Sequence, residues 1–116
     1  MNIVIKGELT DLNTYIKALN SHRLSGNKVK KDNTIIVYSE AREYPEVEKY
    51  PVKITYSWYS KDNRKDIDNV CFAKKFINDG LVLAGVLRND SRKYVSGFED
   101  RFYIDSDNPR VEIEIS

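Results

Sequence analysis

The sequence predicts an α+β domain, a small mixed sheet of about four strands packed with two or three helices, with residues 1–116 forming one unit. Three observations predict it. Stretches of β-branched and aromatic alternation open, divide and close the chain, at residues 2–8, 52–59 and 111–115. Between them lie longer stretches with apolar residues at helical spacing. Finally, 116 residues suit one domain with one modest core, and no repeat, low-complexity tract or linker divides them.

Each element follows from local pattern. Ile3 and Ile5 alternate with Val4 and Lys6 up to Gly7, giving an opening strand. Thr10 or Asp11 can cap a helix carrying Leu12, Tyr15, Ile16 and Leu19, and Ser25-Gly26-Asn27 is expected to end it in a loop. Residues 28–43 allow two readings: Thr34-Ile35-Ile36-Val37-Tyr38 favours a strand by β-branching, while the charged frame also permits a helix. Pro45 and Pro51 bound a connection. Val52, Ile54, Tyr56 and Trp58 then alternate with Lys53, Thr55, Ser57 and Tyr59 in the clearest half-buried strand. From Asp68, the positions Val70, Ala73, Phe76, Ile77, Leu81 and Ala84 predict one helix, with Gly85 and Val86 as a Schellman-type stop. Two strand-like pieces, 94–98 and 102–104, precede a turn at 106–109 and the closing strand with Val111, Ile113 and Ile115.

Composition narrows the function classes. The single cysteine, Cys71, excludes an internal disulfide and a cysteine zinc site, and the single histidine, His22, excludes a histidine-rich metal cluster; both are expected to be structural or incidental. No apolar run approaches the ~20 residues of a membrane span, and the first residues lack a signal-like pattern, so a soluble cytoplasmic protein is expected. Net charge is only +1, but it is unevenly spread. Residues 49–98 carry ten Lys or Arg against five Asp, whereas residues 99–116 carry six acids against two arginines. A polyanion would meet the central segment.

Within that segment, Lys61-Asp62-Asn63-Arg64-Lys65 runs into Asp66-Ile67-Asp68-Asn69, with Lys74, Lys75 and Asp90 beyond. Carboxylates gathered at one point repel unless a cation holds them, and an all-oxygen set suits Mg²⁺, with Mn²⁺ possible. Asp66, Asp68 and Asp90 are therefore the candidate metal ligands, with Asp90 returning to the pair after the helix. Lys61, Arg64 and Lys65 are candidate phosphate contacts, and Lys28, Lys30 and Lys31 form a second basic strip that a charged helix start explains equally well. Asp-x-Asp alone is a weak signal that a solvated surface loop explains better. Trp58 falls on the apolar side of its strand, while Tyr59 is placed to stack on a base.

The wider pattern resembles the RusA family of Holliday junction resolvases. Asp66-x-Asp68-Asn69 matches its D-x-D-N motif, Lys75 its catalytic lysine, Asp79-Gly80-Leu81 and Ala84-Gly85 its D-[AG]-L-x-x-A-G stretch, and Asp90 its second acidic site. Asn89 stands where some members have another acid. The specific motifs lie within residues 64–90, and a thinner likeness covers most of the chain. Lys75 follows Asp68 by seven residues where the founding type has four, which looks like a three-residue insertion early in the helix. On a continuous helix both spacings share a face, turning Lys74 roughly 100° away from the site as a DNA contact.

The resemblance implies a homodimeric, Mg²⁺-dependent endodeoxyribonuclease that cuts four-way junctions by paired nicks, with no nucleotide cofactor and no membrane partner. It implies catalytic roles for Asp66, Asp68, Asp90 and Lys75, a DNA or loop-holding role for Asn69, and a scaffold role for Asp79. Phage or prophage recombination, repair or packaging is the implied setting. A branched-DNA-binding protein with weak or no cleavage, or a flap or fork nuclease of the same chemistry, are the alternatives.

Overall fold

The computed structural model describes all 116 residues. It is an α+β fold with a four-stranded mixed sheet. Strand β1 (Asn2–Lys6) is followed by helices α1 (Leu12–Ser21) and α2 (Arg23–Ala41), then strand β2 (Val52–Ser60). Helices α3 (Ile67–Cys71) and α4 (Lys74–Leu83) cross to strand β3 (Val95–Ile104), and β4 (Arg110–Ile115) closes the chain. The strand order is β1-β4-β2-β3. β3 runs parallel to β2, and β4 lies antiparallel between β1 and β2.

Period-two alternation decides which face each strand residue takes. Ile3, Ile5, Val52, Ile54, Tyr56, Trp58, Val111, Ile113 and Ile115 are buried in one cluster with Val37 and Ala41 of α2 and Phe76, Ile77 and Leu81 of α4. Val111, Ile113 and Ile115 thus belong to the core. Burying one such side chain contributes about 1.5–3 kcal/mol, so this apolar layer dominates the folding energy. The opposite face is open.

Three expectations need correction, and one open reading is decided. Ser25-Gly26-Asn27 does not end a helix; the break falls earlier, at His22, whose extended backbone (φ −168°, ψ 138°) caps α2 while its Nδ1 accepts the Leu24 N–H at 3.1 Å. Gly26 is instead a point of close approach, since a Cβ there would lie 2.2 Å from Leu19 Cδ2. The ambiguous stretch 28–43 is helical through Ala41, because Asn33, Val37 and Ala41 recur every four residues as the buried row, leaving Ile35 and Ile36 outside. The helix predicted from Asp68 is two helices, broken at Phe72 and Ala73, where Ala73 N–H bonds Val70 O and Lys75 N–H bonds Phe72 O. Lastly, residues 95–104 form one strand, paired with β2 along its length.

The Schellman stop is present: Gly85 has φ +78°, Val86 N–H bonds Leu81 O and Gly85 N–H bonds Val82 O, each at 3.0 Å. It turns the chain toward Asp90.

Candidate functional site

The acidic motif sits where β2 hands over to α3. Asp11 caps α1 by accepting the Thr14 N–H at 2.8 Å, and Lys65 Nζ reaches the same carboxylate at 2.9 Å. Burial alone would raise the Asp11 carboxyl; the Thr14 N–H and Lys65 outweigh it and hold it below the ordinary range. Asn69 Oδ1 accepts the Asn13 N–H at 2.9 Å, tying α3 to α1. Lys65 and Asn69 therefore brace the loop from within. Lys61 and Arg64 stay exposed, Arg64 with only Asp62 at 3.7 Å.

Asp66 takes the N-cap position of α3 without a side-chain cap bond, and Asp68 lies in its first turn. Both are exposed, and neither enters an ion pair. Two uncompensated carboxylates one residue apart make an acidic point beside the basic loop.

The lysines of α4 part company. Lys75 Nζ lies 3.0 Å from Asp79 and 3.9 Å from Asp90. The Asp79 hydrogen bond, aided by both acidic charges against partial burial, raises the Lys75 ammonium above its ordinary pKa, so it stays charged through the neutral range. Lys30 of α2 reaches Asp79 at 3.9 Å, making a chain Lys30, Asp79, Lys75, Asp90 across the α2 and α4 surface. Lys31 is exposed beside it. That packing is close because Gly80 lets α4 approach α2: a Cβ there would lie 2.5 Å from Val37.

Lys74 points inward. Its ammonium pairs with Asp100 of β3 and stands 5.4 Å from the Tyr56 ring centroid and 5.2 Å from that of Phe98. Trp58 Nε1 donates to the same Asp100 carboxylate at 2.9 Å, and Tyr56 donates its hydroxyl to Asn78 of α4. Lys74 is thus a partly buried brace between α4 and β3. It does not take the outward position that a continuous helix would give it.

Asp100 is the residue that sequence reasoning missed. Burial chiefly raises the Cys71 thiol, with Asp100 and Asp68 adding to it; burial also chiefly raises the Tyr56 hydroxyl, with Asp100 and Asp90 adding after the opposing Asn78 bond. Asp100 is the one carboxylate whose charge acts on both groups. The oxygens of Asp66, Asp68 and Asp90 are not drawn into a closed ligand set: no three His, Cys, Asp or Glu side chains are grouped to hold a metal ion. The donors fit an oxygen-preferring divalent cation in kind, and Asp66 and Asp68 are free to take one; Asp90 instead faces Lys75.

No protein-family model matches the chain, and no curated protein matches it. No helix is long and apolar enough to cross a membrane.

Proposed function

We propose that the protein is a divalent-metal-dependent endodeoxyribonuclease acting on branched DNA, with four-way junctions as the preferred substrate. The observation that carries the proposal is that Asp66 and Asp68 stand exposed and without an ion-pair partner at the start of α3; Lys75, on the next helix, contacts Asp79 and Asp90. The RusA-like pattern of residues 66–90 supports the same assignment. Asp66, Asp68 and Asp90 would hold Mg²⁺ or Mn²⁺, which when bound polarises a scissile phosphate and acidifies a water. Lys75, held charged by Asp79, offsets negative charge that develops on the phosphate oxygens. Lys61 and Arg64 draw the backbone toward that point, and Lys30 and Lys31 extend the basic surface along α2. Shape and backbone contacts select the branch. Two copies related by a two-fold axis would suit paired incision.

The test is cleavage of labelled four-way junction, fork, flap and linear duplex with and without Mg²⁺. Nicking of the junction in Mg²⁺, abolished by Asp66→Asn, Asp68→Asn or Asp90→Asn with binding retained, supports the reading. Wild-type cleavage by any of these variants removes that residue from the ligand set. The carboxylates not being gathered into one group favours a second reading, a branch-binding module with weak or no cleavage. Tight junction binding without metal-dependent nicking would select it.

A further inference from the structure

The two edges of the sheet are built differently. β1 is five residues long, whereas β3 runs for ten without a proline and carries Phe98, Tyr103 and Ile104, which are 47%, 43% and 58% exposed. The Asp105 N–H donates to Ser60 O across the β2–β3 seam at 2.8 Å, so alternation turns the N–H and C=O groups of Phe98, Asp100, Phe102 and Ile104 away from β2. No strand lies on that side. A long edge with free backbone groups and apolar side chains is a template for another strand.

The residues of β3 determine which strand fits. Two copies related by a two-fold axis pair edge to edge antiparallel, and only registers with the axis passing through a residue keep each side chain on its own face. With the axis at Asp100, Glu99 stands opposite Arg101 of the second copy, and Arg101 opposite its Glu99. Because the even-numbered residues carry the free backbone groups, these two pairs are the ones without ladder bonds, in which side chains approach most closely. Within each copy Arg101 already pairs with Glu99, so the seam closes a ring of four alternating charges. In the same register Phe98 meets Phe102, and the Tyr103 ring meets Gly97, where a Cβ would have nothing within 4 Å. Moving the axis one residue either way sets Glu99 against Glu99 or Arg101 against Arg101. β3 is therefore complementary to itself in one register.

The axis also brings two Asp100 side chains opposite each other. Each arrives with its own Lys74 ammonium and Trp58 N–H, so neither charge is uncompensated.

We infer that β3 is a dimer interface: two copies join through antiparallel β3 strands, Glu99 to Arg101, and their four-stranded sheets become one continuous sheet. The interface rests on the strand itself; the use made of it rests on the proposed function. Asp66 and Ile104 border one depression on the helix-covered side, and Ile104 is four residues from the axis, about 13 Å at about 3.3 Å per residue. The two depressions then lie on one face of the joined sheet, about 26 Å apart along the strands, where one branched DNA can reach both.

The test is sedimentation of the protein alone, without DNA or metal. Wild type should be a dimer at micromolar concentration. Glu99→Arg and Arg101→Glu each turn two attractive pairs into two repulsive ones and should weaken the dimer about 5- to 100-fold. An equimolar mixture of the two variants should regain it, because each then faces the opposite charges of the other, and the double variant Glu99→Arg, Arg101→Glu should dimerise as well. Both side chains lie on the open face, and circular dichroism checks that each variant keeps the fold. A monomeric wild type would leave the edge to solvent or to another protein's strand and overturn the pairing. Single variants that dimerise like wild type, or a mixture that stays monomeric, would overturn it too. Junction nicking in Mg²⁺ is scored separately: a dimer that follows the charge swap but does not nick ends the nuclease reading and leaves the interface, and nicking by a monomer does the reverse.

Discussion

Asp100→Asn isolates the charge of one carboxylate while keeping its shape and an acceptor for Trp58. In the wild type, the Lys74 ammonium and Asp100 carboxylate are each only 21% exposed, and the ammonium lies over two aromatic rings. Removing one partner of a fully buried ion pair costs about 3–5 kcal/mol, and an exposed pair contributes about 0–1 kcal/mol. A pair with one-fifth of its side chains still in contact with water falls between them, at about 1–2 kcal/mol, the Lys74 interaction with Tyr56 and Phe98 softening the loss. With an unfolding entropy of about 2.1 cal/mol/K per residue, that lowers the melting temperature by roughly 4–8 °C. The assay is thermal unfolding followed by circular dichroism, repeated at low and at about 1 M salt. A surface pair would lose its effect at high salt, where the screening length is about 3 Å, and this one should keep most of it. The fluorescence of Trp58, the single tryptophan, gives a second readout, because its indole N–H bonds the altered group. A double-mutant cycle with Lys74→Met should show a coupling of about 1 kcal/mol. Melting within about 1 °C of wild type, or a coupling near zero, would show that the pair is incidental to the fold.

Lys75→Ala should remove most cleavage with little change in melting, since the side chain is 57% exposed, while Lys74→Ala should melt like Asp100→Asn; single-turnover rates at saturating protein separate the two. Gly80→Ala should destabilise by about 1–3 kcal/mol despite alanine's better helix propensity, because its Cβ would lie 2.5 Å from Val37 and 3.1 Å from Thr34 O; denaturant titration checks this, and a stabilised variant would mean that α2 and α4 move apart freely. The folded pKa of Asp11 is depressed, so its contribution is present above the ordinary aspartate range and is lost as pH falls through the folded value. Lys65→Met should therefore cost stability at neutral pH, and the difference from wild type should shrink in acid; a gap that persists at pH 2 would assign the loss to packing.

How far the sequence could be read depended on whether local pattern or tertiary docking decided the outcome. β1, β2 and β4 were legible because one face of each is buried and the other is open, so alternation was enforced by packing. The cap at Asp11 and the stop at Gly85 were legible because their chemistry is local. α2 was not, because its conspicuous apolar pair, Ile35 and Ile36, faces outward, while the row that docks it includes Asn33 and Gly26, which look polar or helix-breaking in a sequence. Asn33 is buried there because Thr10 and Val29 satisfy its amide.

The same distinction runs through the site. The positions of Asp66 and Asp68 follow from a strand ending and a helix beginning, and those signals are local. The roles of Lys74 and Lys75 depend on where the helix breaks and on what stands opposite, and neither is local. Glu99-Asp100-Arg101 interrupts the apolar alternation of β3, so it suggested a gap between two short strands; the parallel pairing with β2 carries the strand through it and places Asp100 beside Tyr56, under Lys74. One charged residue on the helix-covered face is tolerated because a lysine and an indole N–H meet it there, the lysine itself lying over two rings. The interruption that hid Asp100 in the sequence is therefore explained by what faces it: a carboxylate in an apolar register is stable here because a cation and an N–H donor across from it compensate the charge.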